Sequence, residues 1–301
     1  MKKRIQSAAQ TRHALYLLPF STLRRPPLSY TFVPLYLYTL IPLFLSILVT
    51  NVSPAQTPHP AKKAARIALF NGKNLDGWYI FLKDRGRDND PKKVFTVKDG
   101  MLHISGEEWG CITTNREYEN YRLVAEFKWA GGTHAPRADN ARDCGILIHS
   151  QGEDGAHDGT WMNSIECQVI EGGMGDFIVV GNGTPEFSVT STVAPEKQGS
   201  SYVFMPGGAD ATINGGRINW YGRDPEWKDV KGFRGKKDVE KPFGKWNRME
   251  VLAKGDEIFV YLNGKLVNYA KDVHPRKGRI QIQSEAAEIV FRKIELSFVG
   301  R

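Results

Sequence analysis

From Ile67 onward the chain alternates apolar and polar residues in short runs, spaced about 8 to 12 residues apart, with Gly, Asn and Asp between them. Arg122 to Trp129 sets Leu123, Ala125, Phe127 and Trp129 against Arg122, Val124, Glu126 and Lys128. Gly278 to Ser284 and Ile289 to Phe298 alternate in the same way. Successive side chains of a strand point to opposite faces, so each run predicts a strand with one face on a core. Two runs are hairpins: Val94–Val97 and Met101–Ile104 flank Asp99-Gly100, and Glu257–Leu262 and Lys265–Val267 flank Asn263-Gly264. Both dipeptides tolerate the positive φ of a type I′ turn. With no convincing helical period and no internal repeat, about a dozen strands predict one all-β domain over residues 67–301, a sandwich of two antiparallel sheets.

Two polar, Gly-rich insertions break the pattern, Gly131 to Asp143 and Asn214 to Phe243, the second carrying Trp220, Tyr221 and Trp227 among many charges. Loops of that length on a rigid sheet often carry binding groups. They are expected at the rim of the site.

Charge changes the picture only by its position. The chain carries +8, but residues 1–55 hold six Lys and Arg and no acid, which leaves +2 on the rest. A nearly neutral body excludes nucleic acid as the default partner. Behind the basic residues, Leu28 to Val52 has no charge, and Ser53-Pro54-Ala55 offers small residues before Gln56. Residues 1–55 therefore read as a signal peptide, or as an uncleaved membrane segment, since the apolar stretch is long enough to span a bilayer. Gln56 to Arg66 reads as a flexible tether. The body is expected outside the cytoplasm, secreted or periplasmic, with the N-terminal segment as its sole link to a membrane. Cys111, Cys144 and Cys167 have no C-x-x-C spacing, and Cys144 and Cys167 sit in apolar strand patterns, which predicts buried thiols.

The chemistry concentrates in Ile165-Glu166-Cys167-Gln168-Val169-Ile170-Glu171-Gly172-Gly173. Alternation puts Ile165, Cys167 and Val169 on the core and Glu166 and Gln168 on the other face. A one-residue bulge at Val169–Ile170 is expected to return Glu171 to the Glu166 side. Two carboxylates and an amide on one strand suit acid/base work on a sugar, one holding a proton and one ionised. The E-x-Q-x-x-E spacing echoes the E-x-D-x-x-E strand of laminarinase-type glucanases. His149, at the end of Cys144 to His149, is an alternative base. Arg142 and Asp143 before that strand, and Trp161 before the glutamate strand, are expected at the same rim as substrate contacts, the indole as a stacking surface for a sugar ring. A divalent cation such as Ca²⁺ could be held by Asp and Glu at this rim, although no ordered ligand loop is present. No dinucleotide fingerprint, P-loop, H-E-x-x-H or G-x-S-x-G occurs, which removes those enzyme classes.

Leu69-Phe70-Asn71-Gly72-Lys73-Asn74-Leu75-Asp76-Gly77-Trp78 resembles the entry signature of the 3-keto-disaccharide hydrolase family. Asp99 to Leu102, Ile112 to Thr114 and Tyr118 to Tyr121 match its next strands. Asp143-Cys144-Gly145-Ile146 stands where that family usually has Asn-Ser-Gly-Ile, and Glu166-x-Gln168-x-x-Glu171 where it has E-x-Q-x-x-D. Trp246-Asn247, Asn263-Gly264, Gly278 to Glu285 and Phe291-Arg292 match its closing blocks. The resemblance implies a concanavalin A-like jelly roll that cleaves glycosides oxidised to a ketone at C3. It implies Glu166 and Glu171 as acid/base residues, Gln168 as an orienting donor, and Arg142 or a divalent ion for the enolate. Gln283 and Glu285, in its closing block, are expected to touch substrate. A non-catalytic carbohydrate-binding or surface-adhesion module is the alternative, distinguished by carboxylates spread along a flat sheet instead of gathered in a pocket.

Overall fold

The computed structural model describes residues 66–300. The predicted signal or membrane segment and all but the last residue of the predicted tether lie outside the described residues. Every regular element among the described residues is a strand. One sheet has nine strands, in the order Tyr202–Val203, Gly216–Asn219, Phe177–Val180, Asn163–Ile170, Asp143–Gln151, Arg279–Ser284, Gly110–Thr114, Trp78–Leu82 and Gly86–Arg87. The other has ten and centres on Asn247–Lys254, Tyr121–Thr133 and Ala287–Phe298. Pairing is antiparallel throughout, except where Tyr202–Val203 runs parallel to Gly216–Asn219. The chain is the predicted jelly-roll sandwich.

The two inner faces form one core. Ile146, Ile148, Ile165, Cys167, Val169, Ile280 and Ile282 of the nine-stranded sheet share a buried cluster with Leu123, Phe127, Val251, Val260 and Phe291 of the ten-stranded one. Each such side chain contributes about 1.5–3 kcal/mol by leaving water. Both predicted hairpins form, with positive φ at Asp99 and Gly100 and at Asn263 and Gly264, as a type I′ turn requires. The three cysteines are buried and free.

Two local expectations fail, and both failures matter for the site. Asn163–Ile170 pairs with Asp143–Gln151 in unbroken register from Asp143↔Ile170 to Ile148↔Ile165, so no bulge interrupts the glutamate strand. The register slips instead between Ile148 and Gln151, where His149 takes a φ of 54°. The second insertion is not all loop. Its Gly216–Asn219 segment is a strand, paired with Phe177–Val180 through Phe177↔Ile218 and Ile178↔Arg217.

Candidate functional site

The outer face of the nine-stranded sheet carries the polar groups. Because Ile146, Cys167 and Ile282 face the core, their neighbours Gly145, Glu166, Gln168, Gln281 and Gln283 face outward. A small apolar cluster of Cys111, Leu147, Trp161 and Val180 marks the same face. Here Gln281 is a framework residue: its Nε2 donates to Thr113 Oγ1 at 2.9 Å and its Oε1 accepts from Met162 N at 3.2 Å.

Glu166 and Gln283 meet over Gly145. A Cβ added at Gly145 would collide with Glu166 Oε1 and Gln283 Oε1 at once, so glycine makes the space in which the two oxygens converge. Both oxygens are buried and neither has a hydrogen-bond partner among the described residues. Two bare acceptors facing one another are costly, and a proton on one of them removes the conflict. Glu166 is 4% exposed. Burial, reinforced by the nearby Asp143 carboxylate, pushes its pKa from 4.5 to about 8. It is a carboxylic acid at neutral pH, with Gln283 Oε1 as a ready acceptor.

Asp143 and Glu285 complete an acidic cluster. Their backbones form an antiparallel bridge. Burial and then the neighbouring Glu166 raise Glu285 from 4.5 to about 7. Asp143 is raised by burial and by Glu285, while its Oδ2 lies 3.1 Å from Arg137 Nη2. Asp143 Oδ1 is a further buried acceptor with no partner among the described residues. Three carboxylates share one desolvated field, in which they cannot all ionise together.

Besides Arg137, which is the larger opposing charge for Asp143 and Glu285, a second cation comes from the strand hidden in the second insertion. Arg217 Nη1 bonds Asp176 Oδ2 at 2.8 Å, and its charge opposes the pKa rise of Glu166, Asp143 and Glu285. Asp176 is fully buried and also pairs with Arg223, whose guanidinium lies 4.1 Å over the Trp227 ring. Sequence reading missed Arg217, Arg223 and Asp176. The one available signal was the short alternation Gly216-Arg217-Ile218-Asn219, submerged in a charged, Gly-rich stretch.

Several predicted site residues serve other ends. With no bulge, Glu171 falls beyond the strand, where its carboxylate takes Arg142 Nη1 at 2.7 Å, Arg142 N at 3.0 Å and Gly232 N at 2.7 Å. Arg142 also bonds Gly131 O at 3.0 Å and stacks on Phe243. The Glu171–Arg142 pair thus clasps the two insertions together, and Glu171 does not join Glu166. His149, turned by its positive φ, donates Nδ1–H to Pro275 O at 2.7 Å and sets its ring edge-on to Tyr121 in the inter-sheet core. Burial lowers its pKa from 6.5 to about 4, so it is a neutral structural histidine away from the carboxylates. Gln168 keeps the Glu166 face, but its Oε1 accepts from Val169 N at 2.7 Å. Trp161 is buried beneath Trp109, centroids 6.2 Å apart, so the half-buried Trp109 is the indole that could meet a ring.

No group of three or more His, Cys, Asp and Glu among the described residues is arranged to hold a metal. The acidic cluster is threaded by Arg137 and Arg217, which occupy the field a cation would need. The divalent ion considered from sequence does not fit this cluster.

The sequence profile described as a 3-keto-alpha-glucoside-1,2-lyase-like domain matches residues 65–297. Among solved structures, a candidate glycosyl hydrolase from Parabacteroides distasonis is 17% identical, with 78% of this chain and 94% of that one covered and a TM-score of 0.47. A second from the same organism is 22% identical, covering 78% and 100%, with a TM-score of 0.44. A Bacillus subtilis protein with a galectin-like fold is 12% identical, covering 78% and 97%, with a TM-score of 0.39. No curated protein matches the chain.

Proposed function

The chain belongs to the 3-keto-alpha-glucoside-1,2-lyase-like domain family, and from that premise we propose that it cleaves glycosides bearing a ketone at C3, by acid/base chemistry on the outer face of the nine-stranded sheet. The observation that carries the proposal is Glu166, desolvated, shifted to about 8, and turned toward the unpartnered Gln283 Oε1 across Gly145. A flat binding surface would leave its carboxylates solvated and ionised; here the buried Asp143 and Glu166 and the half-buried Glu285 share one field.

A ketone at C3 acidifies the C2 hydrogen. Glu285, which titrates near 7, takes that proton. Negative charge then develops on the C3 oxygen, where the Arg217 guanidinium is the fixed cation. The enolate re-forms the carbonyl, the C1–O bond breaks, and Glu166 gives its proton to the departing oxygen. The products are an alcohol and a C1–C2 unsaturated 3-keto sugar. Water adding across that double bond would complete a net hydrolysis. Bond breaking at C2 distinguishes this course from an oxocarbenium route, which leaves C2–H untouched.

The test is cleavage in heavy water of a 3-keto-glycoside and of its unoxidised parent, with a no-enzyme baseline. The expected result is turnover of the keto substrate alone, with the released sugar carrying the C1–C2 double bond or, once water has added, enzyme-dependent deuterium at C2. Rapid hydrolysis of the parent, or a hydrated product that keeps its original C2 hydrogen, refutes the elimination.

A further inference from the structure

Beside the carboxylates lies a cavity of about 590 Å³ whose lining includes Lys197, Arg217, Asn219, Arg223, Asp224 and Trp227. Arg217 belongs to both places, since it lines this cavity and opposes the charge of Glu166. Arg217 therefore links the cavity to the carboxylates, and a second part of a bound glycoside would sit there.

Its polar groups form an ordered set. Gln198 Nε2 donates to the Arg223 carbonyl at 3.4 Å, which leaves Gln198 Oε1 to accept from Asn219 Nδ2 at 3.0 Å. A carbonyl can only accept, so this relay fixes the orientation of both amides. Asn219 Oδ1 ends the relay as a buried acceptor with no partner among the described residues, and the residue is 4% exposed. Such an acceptor calls for a donor from outside, and a sugar hydroxyl supplies one.

The charges point one way. Asp176 is bonded by both Arg217 and Arg223, so one carboxylate serves two guanidiniums. Burial holds Glu166 toward its neutral form, which further weakens the negative charge facing Arg217. Lys197, exposed and set over the Tyr202 ring at 3.9 Å, adds a third cation at the mouth. The one acid in the lining, Asp224, accepts from the backbone N–H groups of Glu226 at 3.0 Å and Lys236 at 3.1 Å and keeps its charge, so Lys197, Arg217 and Arg223 face Asp224 and Asp176 with positive charge in excess. A hydroxyl acceptor beside this net positive charge matches a ring that carries both hydroxyls and an anion.

We propose that this cavity is a subsite for a sugar ring bearing an anionic substituent, a carboxylate or a sulfate ester, and that the groove's substrates are acidic glycosides. The inference rests on the groove being a glycoside site, but its test is binding, which does not require cleavage. Methyl β-D-glucuronide, methyl β-D-glucoside 6-sulfate, methyl β-D-glucoside and sulfate ion are titrated into the full-length protein and into Lys197→Gln, an exposed change that leaves the buried relay intact. Both anionic glycosides are expected to bind at least tenfold more tightly than the neutral one, and added salt should weaken that preference. Lys197→Gln should lower their affinity several-fold and leave the neutral glycoside unchanged. Preference for one anionic glycoside over the other identifies which substituent the subsite takes. Equal binding of neutral and anionic glycosides, sulfate ion binding as tightly as either, or no effect of Lys197→Gln overturns the subsite. Acid-glycoside binding without any 3-keto cleavage would sink the proposed reaction while leaving the subsite standing, and cleavage without charge preference would do the reverse.

Discussion

Glu166→Gln tests the site most sharply, because the substitution imitates the protonated acid in shape and removes its proton chemistry. In the folded protein Glu166 keeps its proton to about 8, whereas the unfolded chain releases it near 4.5. Between those values the unfolded state has lost a proton that the native state retains, so the wild type loses stability as pH rises from 4.5 through 8. At 1.36 kcal/mol per pH unit, the whole displacement amounts to about 5 kcal/mol, an upper figure because buried sites relax. The variant has no such titration. Its amide also supplies an N–H donor beside the unpartnered Gln283 Oε1. Urea unfolding at pH 5, 7 and 9 should therefore show the variant gaining on the wild type by about 2–5 kcal/mol across that range. The same substitution should cut turnover about 10²-fold or more, the usual loss on removing a general acid or base. Because Glu166 helps to raise Glu285, the substitution also relaxes that titration, which adds to the gain in the same direction. A constant stability difference across pH, or turnover that survives in the variant while its stability falls, would place Glu166 outside the chemistry.

Three further substitutions separate site from scaffold. Gly145→Ala should displace both Glu166 and Gln283, costing about 1–3 kcal/mol of stability; turnover should fall at least tenfold, and wild-type kcat would refute the convergence over Gly145. His149→Gln should leave turnover near wild type, since the ring lies against Tyr121 and Pro275. The wild type, whose His149 is lowered to about 4, loses about 3 kcal/mol as pH falls from 6.5 to 4 because the unfolded chain takes a proton the native state refuses, and urea unfolding should show the variant spared that loss. Glu171→Gln should cost about 3 kcal/mol by leaving Arg142 half-satisfied, read as a lower urea midpoint, while ligand-stabilised protein keeps its turnover; selective loss of kcat in fully folded protein would return Glu171 to the reaction.

What the sequence determined by itself was local and periodic. Period-two alternation marked Arg122 to Trp129 as a strand and set Glu166 and Gln168 opposite Ile165, Cys167 and Val169, because that division depends only on neighbours along the chain. Asp99-Gly100 and Asn263-Gly264 marked their turns through the positive φ those residues tolerate. The resemblance carried by the motifs pointed to Gln283 and Glu285 without saying how they act. The tertiary structure alone decided the rest. Where a strand keeps its register and where it slips is set by its partner, so the bulge expected at Val169–Ile170 occurs instead at His149, and Glu171 and His149 leave the site together. Arg217 lay in a stretch too charged and Gly-rich to read as a strand, and pairing with Phe177–Val180 makes it one. The convergence of Glu166, Arg217 and the Gln283–Glu285 pair joins three segments far apart in sequence. Their pKa values and unpartnered oxygens follow from the burial that this assembly creates, and no spacing along the chain encodes it.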